Sequence, residues 1–212
     1  MLPATIVSAV ACGVLVFAEW RRDARLRMIA KTIASLAFVA VAVLGMRDSA
    51  YARWIVAGLV LGTVGDLALL GSSNRSFLVG LGAFLLGHLS YVVACGEVRS
   101  PLDWLTDAHA FSLIPIAIAL TALQWLWPRL GSMRIPVIGY MLAIVAMMIG
   151  AIAVARASTL PTRTCLVAGA ALFFASDLAV ARDKFVEQSF TNRAWGLPAY
   201  YAGQLLIAWS VT

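Results

Sequence analysis

Apolar blocks, each close to the ~20 residues that an α-helix needs to cross the hydrocarbon of a bilayer, follow one another along nearly the whole chain. Eight are read, at about 3–20, 28–46, 53–71, 77–96, 109–127, 134–155, 163–181 and 195–212. Lipid offers backbone amides no partner, so segments of this kind must be helical. The expected fold is therefore an all-α integral membrane protein of eight transmembrane helices, a single polytopic domain over 1–212. Composition agrees: 62% of residues are hydrophobic and only 12% are charged, against about 25% charge in a soluble domain. What lies between the blocks is too short for a soluble domain. The first block has no basic n-region and reads as a retained span, not a cleaved leader.

The net charge of +6 is a topology signal and not a nucleic-acid footprint. With the odd-numbered loops on one side, that side holds Arg21, Arg22, Arg25, Arg27, Lys31, Arg75, Arg129, Arg134, Arg182, Lys184 and Arg193, eleven of the sixteen basic residues. The other side holds Arg47, Arg53, Arg99, Arg156 and Arg163. The positive-inside rule puts the odd loops in the cytoplasm and both termini outside, in what is expected to be a bacterial cytoplasmic membrane.

Two aspartates interrupt the apolar blocks in nearly the same setting: Gly65-Asp66-Leu67-Ala68 and Ser176-Asp177-Leu178-Ala179. An Asp at mid-helix costs roughly 2.5 to 3.5 kcal/mol on insertion, so it usually persists for a function, although a single polar residue can also simply bond a neighbouring helix. A second correspondence follows. Ala83-Phe84-Leu85-Leu86-Gly87-His88-Leu89 resembles Ala199-Tyr200-Tyr201-Ala202-Gly203-Gln204-Leu205. The offsets are 111 residues for the aspartates and 116 for this motif, the difference fitting in the longer Arg182–Arg193 loop. The chain thus reads as two parallel four-helix repeats, halves of about 1–100 and 101–212, related by an axis along the membrane normal. Such symmetry puts Asp66 and Asp177 at one depth and lets them face each other. Lys31, Asn74, Arg75, Arg182 and Lys184 map to the same end, so the expected site is a carboxylate pair with cationic and amide groups at its mouth.

The remaining candidates have plainer alternatives. A lone His88 is more often a hydrogen-bonded structural residue than a base, and its counterpart Gln204 cannot titrate. Tyr91, Tyr140, Tyr200 and Tyr201 are packing or interfacial aromatics unless they line a site. Trp20, Trp54, Trp104, Trp127 and Trp195 fall near span ends and read as interface anchors. Gly58-Gly62 and Gly80-Gly87 read as helix-packing contacts. Cys12, Cys95 and Cys165 show no metal spacing and read as buried thiols. Nucleophile-elbow, zinc-helix, phosphate-loop and dinucleotide motifs are absent from the sequence, and two histidines, His88 and His109, make no imidazole cluster. No metal or cofactor is called for.

Taken together, several segments resemble the YhhN-like lysoplasmalogenase family. They are the Gly65-Asp66 helix, Phe77-x-x-Gly80-Leu81-x-Ala83-Phe84-x-x-x-His88-x-x-Tyr91, Ser176-Asp177-Leu178 with Lys184-Phe185, and Tyr200-Tyr201-Ala202-x-Gln204-Leu205. Lys31 and Pro136-Val137-x-x-Tyr140 fit as well. Thr32, where proline is common in the family, and Gly203, where alanine is common, depart from it. The resemblance covers essentially the whole chain. It implies eight transmembrane helices and hydrolysis of the vinyl ether bond of lysoplasmalogens, giving a fatty aldehyde and a glycerophospho-choline or -ethanolamine.

That chemistry suits the residues. A vinyl ether hydrolyses by slow protonation of its β-carbon, and water captures the resulting oxocarbenium ion as a hemiacetal. One acid that keeps its proton and one anion are needed, as in glycosidases around a similar cation. Asp66 and Asp177 are the expected catalytic pair, with the roles of the two left open. Tyr140, Tyr200 and Gln204 would orient the pair or the water, and Lys31 and Lys184 would hold the phosphate, with Asn74, His88 and Tyr91 also lining the substrate site. The expected partners are a lysophospholipid and the bilayer. The competing reading is a proton-coupled carrier of small molecules or lipids, since parallel repeats with mid-membrane acids also describe transporters.

Overall fold

A computed structural model describes residues 1–157 and 162–212, and every regular element among them is helical. The α-helices are α1 (Leu2–Arg21), α2 (Ala24–Gly45), α3 (Ala50–Ala68), α4 (Asn74–Val98), the short α5 (Trp104–Ala108), α6 (Leu113–Leu126), α7 (Arg134–Ala157), α8 (Thr162–Phe185) and α9 (Phe190–Trp209). Among the described residues, seven helical segments are long and apolar enough to span a bilayer, so the chain is a multi-pass membrane protein. The eighth expected span is α9, a helix of 20 residues. Its hydropathy is lowered by Asn192, Arg193, Tyr200, Tyr201 and Gln204, of which all but Arg193 are buried.

Local chemistry sets the helix ends. The Asp23 carboxylate accepts the amides of Arg25 and Leu26 and starts α2. Ser49, Ser73 and Ser189 cap α3, α4 and α9 in the same way, satisfying amides that have no partner within the helix. The fifth span departs from the single helix expected over 109–127. His109 takes φ 50°, a short 3₁₀ turn follows at His109–Ser112, and only then does α6 begin. Trp104 departs too. It is buried, not anchored at the interface, and its indole N–H donates to the Arg99 carbonyl at 2.8 Å.

The helices close into a ring. Neighbours from α1 to α4 pack in chain order, α4 packs on α7, α7 on α8, α8 on α9, and α9 returns to α1 and α2. Helix α6 lies on α7 with a lighter contact to α8. Inside sit Phe38, Tyr91, Phe173 and Tyr201; outside, Leu2, Val10, Leu36, Leu44, Ile135 and Leu142 stand exposed where lipid is the solvent.

In lipid the association of helices depends on close packing, so small residues set the approach. Gly58 makes room for the Tyr91 ring, and Gly87 lies against the Gly58 carbonyl. Between α8 and α9 the backbones themselves meet: a Cβ at Gly169 would stand 2.7 Å from the Gly203 carbonyl oxygen, and one at Gly203 2.8 Å from that of Gly169. Backbone cannot swing aside as a flexible side chain can. Gly169→Ala is therefore expected to destabilise the protein by about 1–3 kcal/mol. Gly82→Ala, where a Cβ meets nothing within 4 Å, should be neutral or stabilising. Unfolding of the two variants in detergent measures the contrast.

Candidate active site

A cavity of about 480 Å³ runs into the ring from the end where the α1–α2, α3–α4 and α8–α9 turns lie. Its walls are largely apolar and aromatic, with Phe84, Tyr140, Phe173 and Tyr200 deep inside. Asp66 and Asp177 both line it, and so do Lys31 and Lys184. Among the described residues no hydrogen bond joins the two carboxylates; each has its own set of partners.

Asp66 is fully committed. The Lys31 ammonium stands 3.3 Å from Oδ1. Oδ2 accepts the hydroxyls of Ser35 at 2.7 Å and Tyr200 at 2.8 Å. The network continues outward in two directions. Tyr200 accepts from the Gln204 amide at 3.2 Å, and the Gln204 carbonyl oxygen accepts the Tyr91 hydroxyl at 2.9 Å. On the other side Ser35 meets Tyr201, whose hydroxyl also reaches the Lys31 carbonyl. Four helices contribute: α2 gives Lys31 and Ser35, α3 Asp66, α4 Tyr91, and α9 Tyr200, Tyr201 and Gln204. Helical spacing explains the local part, since Lys31 and Ser35, and likewise Tyr200 and Gln204, are four residues apart and share a face.

Asp177 is placed differently. Its Oδ2 is buried and has no hydrogen-bond partner. It faces Nε2 of His88 at 3.6 Å, and that nitrogen is also buried without a partner. The other ring nitrogen, Nδ1, lies 2.7 Å from the Phe84 carbonyl, which can only accept, so Nδ1 carries a hydrogen. In a neutral ring Nε2 is then a bare acceptor, facing an oxygen that as carboxylate is also an acceptor. Such a pair repels unless one further proton sits between them, on either atom. The rest of the Asp177 side chain, 17% exposed, opens on the cavity. Tyr140 supplies its other polar neighbour and packs edge-on against the His88 ring at 5.1 Å. Phe173 covers that ring at 4.4 Å.

The other expected site residues fall into place around these two centres. Lys31 is buried and turned to Asp66 rather than standing at the mouth. Lys184 does stand there, donating to Asn74 Oδ1 at 3.1 Å and lying over the Phe77 ring. Tyr91, His88 and Gln204 lie behind the cavity wall as supports. Sequence reasoning passed over Ser35 and Arg27. Both lie one turn from Lys31 on α2, and that spacing was the available signal.

A buried cation facing a buried carboxylate makes a specific prediction. Removing one partner of such a pair costs about 3–5 kcal/mol, because the other charge is left uncompensated. Lys31→Met should therefore be strongly destabilising in detergent unfolding. The double variant Lys31→Met/Asp66→Asn should recover part of the loss, and additive losses in that cycle would show that the two side chains do not interact.

Comparison with known proteins gives the family. Residues 26–211 match the model of the YhhN family. A lysoplasmalogenase of Mycobacterium bovis is 32% identical over 165 residues, covering 73% of this chain and 59% of the relative. Lysoplasmalogenase TMEM86A of Bos taurus is 31% identical over 160 residues, covering 74% and 64%, and its Homo sapiens counterpart is 30% identical over the same length. The chain thus spans about three-fifths of the length of these relatives. No solved structure matches it significantly.

Proposed function

The chain belongs to the YhhN family, and from that premise we propose that it is a lysoplasmalogenase-like hydrolase. It would cleave the vinyl ether bond of an alkenyl-glycerophospholipid to a fatty aldehyde and a glycerophospho-alcohol. The observation that carries the proposal is the unequal setting of two carboxylates on one cavity. Asp66, with an ammonium and two hydroxyl donors, is built to stay an anion. Asp177, whose buried oxygen faces the unpartnered nitrogen of His88, is built to hold a proton. Vinyl ether hydrolysis asks for one of each. The names of the relatives support the substrate class.

In this reading the alkenyl chain lies among Phe84, Phe173 and Tyr140. Asp177 gives its proton to the β-carbon, and the ether oxygen shares the positive charge that develops on the α-carbon. The Asp66 carboxylate stabilises that cation electrostatically. Water adds to the α-carbon and returns its proton to a carboxylate, so the acid is restored. The hemiacetal then collapses, its hydroxyl proton passing to the departing glycerol oxygen. No step needs a metal or an organic cofactor.

The site also supports reading the chain as two four-helix halves about an axis along the membrane normal. Asp66 of the first half is served by Tyr200 on α9 of the second, and Asp177 of the second half by His88 on α4 of the first. With the Arg-rich turns in the cytoplasm, the cavity mouth faces the inner leaflet and both termini lie outside.

Proton transfer to carbon is the slow step of this chemistry, which fixes the test. Purified protein in detergent should release aldehyde from lysoplasmalogen more slowly in D₂O, with deuterium at C2 of the aldehyde when enol exchange is prevented. The saturated alkyl-ether lysolipid should bind but not react. The rate should fall as pH rises through the apparent value at which the acid ionises, a property of the coupled site and not of one residue. Asp66→Asn and Asp177→Asn should each cost several orders of magnitude in turnover, and the pair together little more, since members of one catalytic device are non-additive. Aldehyde free of deuterium, or cleavage of the saturated ether, would sink the mechanism.

A further inference from the structure

Next to the aspartate cavity lies a second hollow of about 320 Å³, between the α1–α2 and α8–α9 turns. The two share walls: Glu19, Arg27, Gln188 and Arg193 line both. The smaller one adds Arg22, Asp23 and Ser189, so it is a polar annex to an apolar chamber. Its charges are unevenly used. Arg193 is saturated by Glu19 at 2.8 Å and Asp183 at 3.3 Å. Asp23 is engaged in capping α2. Arg27 meets Glu19 only at 3.9 Å, and its Nε is buried without any hydrogen-bond partner. The Arg27 side chain, 33% exposed and lining both cavities, is thus short of an acceptor, and a phosphodiester supplies oxygens in the geometry that a guanidinium fork accepts.

We infer that the annex around Arg27, with Arg22 behind it, is the subsite for the phosphodiester of the lysolipid head group. The inference rests on the lysoplasmalogen reading of the Asp66–Asp177 cavity and deepens it. Helix α2 provides a ruler. Arg27, Lys31 and Ser35 follow one another at four-residue spacing on one face, each step a rise of about 6 Å. Lys31 and Ser35 grip Asp66, so the Arg27 backbone lies about 6–12 Å nearer the mouth than the residues that hold the carboxylate. In a 1-alkenyl-glycerophospholipid seven bonds separate phosphorus from the vinyl β-carbon, about 9 Å when extended. Phosphate on Arg27 therefore sets the vinyl ether at the level of the aspartates. In this reading Arg27 meets the phosphate and Lys31, whose ammonium is paired with Asp66, does not.

The test uses ligands that the protein does not cleave, so that it does not depend on the reaction. Binding of 1-alkyl-glycerophosphoethanolamine and of 1-alkyl-glycerol, the same ether without phosphate, is measured on full-length protein in detergent. The wild type should prefer the phosphate-bearing ligand by about tenfold or more, as charged hydrogen bonds allow. Arg27→Gln should abolish that preference while leaving 1-alkyl-glycerol binding unchanged, and Arg27→Lys should retain part of it. Arg25→Gln removes an equal charge from an exposed position on the same helix end and should leave the preference intact. Millimolar inorganic phosphate should not displace the lysolipid analogue. No phosphate preference in the wild type, a preference that survives in Arg27→Gln, an equal effect of Arg25→Gln, or displacement by free phosphate would each overturn the subsite. Failure to release aldehyde from a vinyl ether would instead count against the hydrolase reading and leave this binding result standing.

Discussion

A carboxylate inside a helical bundle in lipid must be neutralised or surrounded, and the inner half of this fold is arranged around how that is done for Asp66. Taking an ammonium and a carboxylate out of water costs several kcal/mol per ion even after relaxation. Their attraction offsets this only if the remaining lone pairs are also filled. Here Ser35 and Tyr200 fill them, and Gln204, Tyr91 and Tyr201 hold those two hydroxyls in turn. Each link lies on a different helix from the one before it or one turn along the same helix. The network therefore fixes the register of α2, α3, α4 and α9, which packing among apolar helices in an apolar solvent specifies only weakly.

The contrast with Asp177 follows from what surrounds it. No lysine or arginine stands within ion-pair distance of Asp177 among the described residues; its charged-type neighbour is His88, which carries charge only if protonated. One cavity thus contains a carboxylate with both oxygens partnered and another with a buried oxygen left open. In the proposed reading this difference is what lets an anion and an acid share one low-dielectric space. The ring aromatics serve both ends: Phe84, Phe173 and Tyr200 form an edge-to-face cluster between the two centres and keep bulk water from levelling the difference.

Much of this was legible in the sequence because lipid is an unforgiving solvent. Uninterrupted apolar blocks declare helices, and an Asp within one is conspicuous at once. The parts that were not legible share a reason. Ser35 is an unremarkable residue in a transmembrane segment, and nothing distinguishes a hydroxyl bonded to a carboxylate from one bonded to its own helix, as Thr121 and Ser90 are. Arg27 belongs to an Arg-rich turn whose every member reads as a topology signal, and only its place on the two cavities, its Glu19 neighbour and its orphaned Nε separate it from Arg25. Lys31 was recognised, but its direction was not: a lysine near a span end normally extends to water, and here the carboxylate opposite turns it inward. The break before α6 escaped notice because the positive φ of His109 and the 3₁₀ turn after it leave no mark in hydropathy.

His88 shows how far such a reading has to wait for geometry. Alone on a helix, a histidine is a poor indicator, and its alignment with Gln204 argued for simple hydrogen bonding at both positions. Gln204 does that, joining Tyr91 to Tyr200. His88 holds the matching position of its own motif with a different consequence, since its Nδ1 is spent on the Phe84 carbonyl and, in the neutral ring, only a lone pair is left for Asp177. An amide at that position could offer an N–H and stabilise a carboxylate. A neutral imidazole in this tautomer offers none. In the proposed reading this contrast, together with Lys31 and Ser35 on the Asp66 side, separates the aspartate that remains charged from the one that carries a proton.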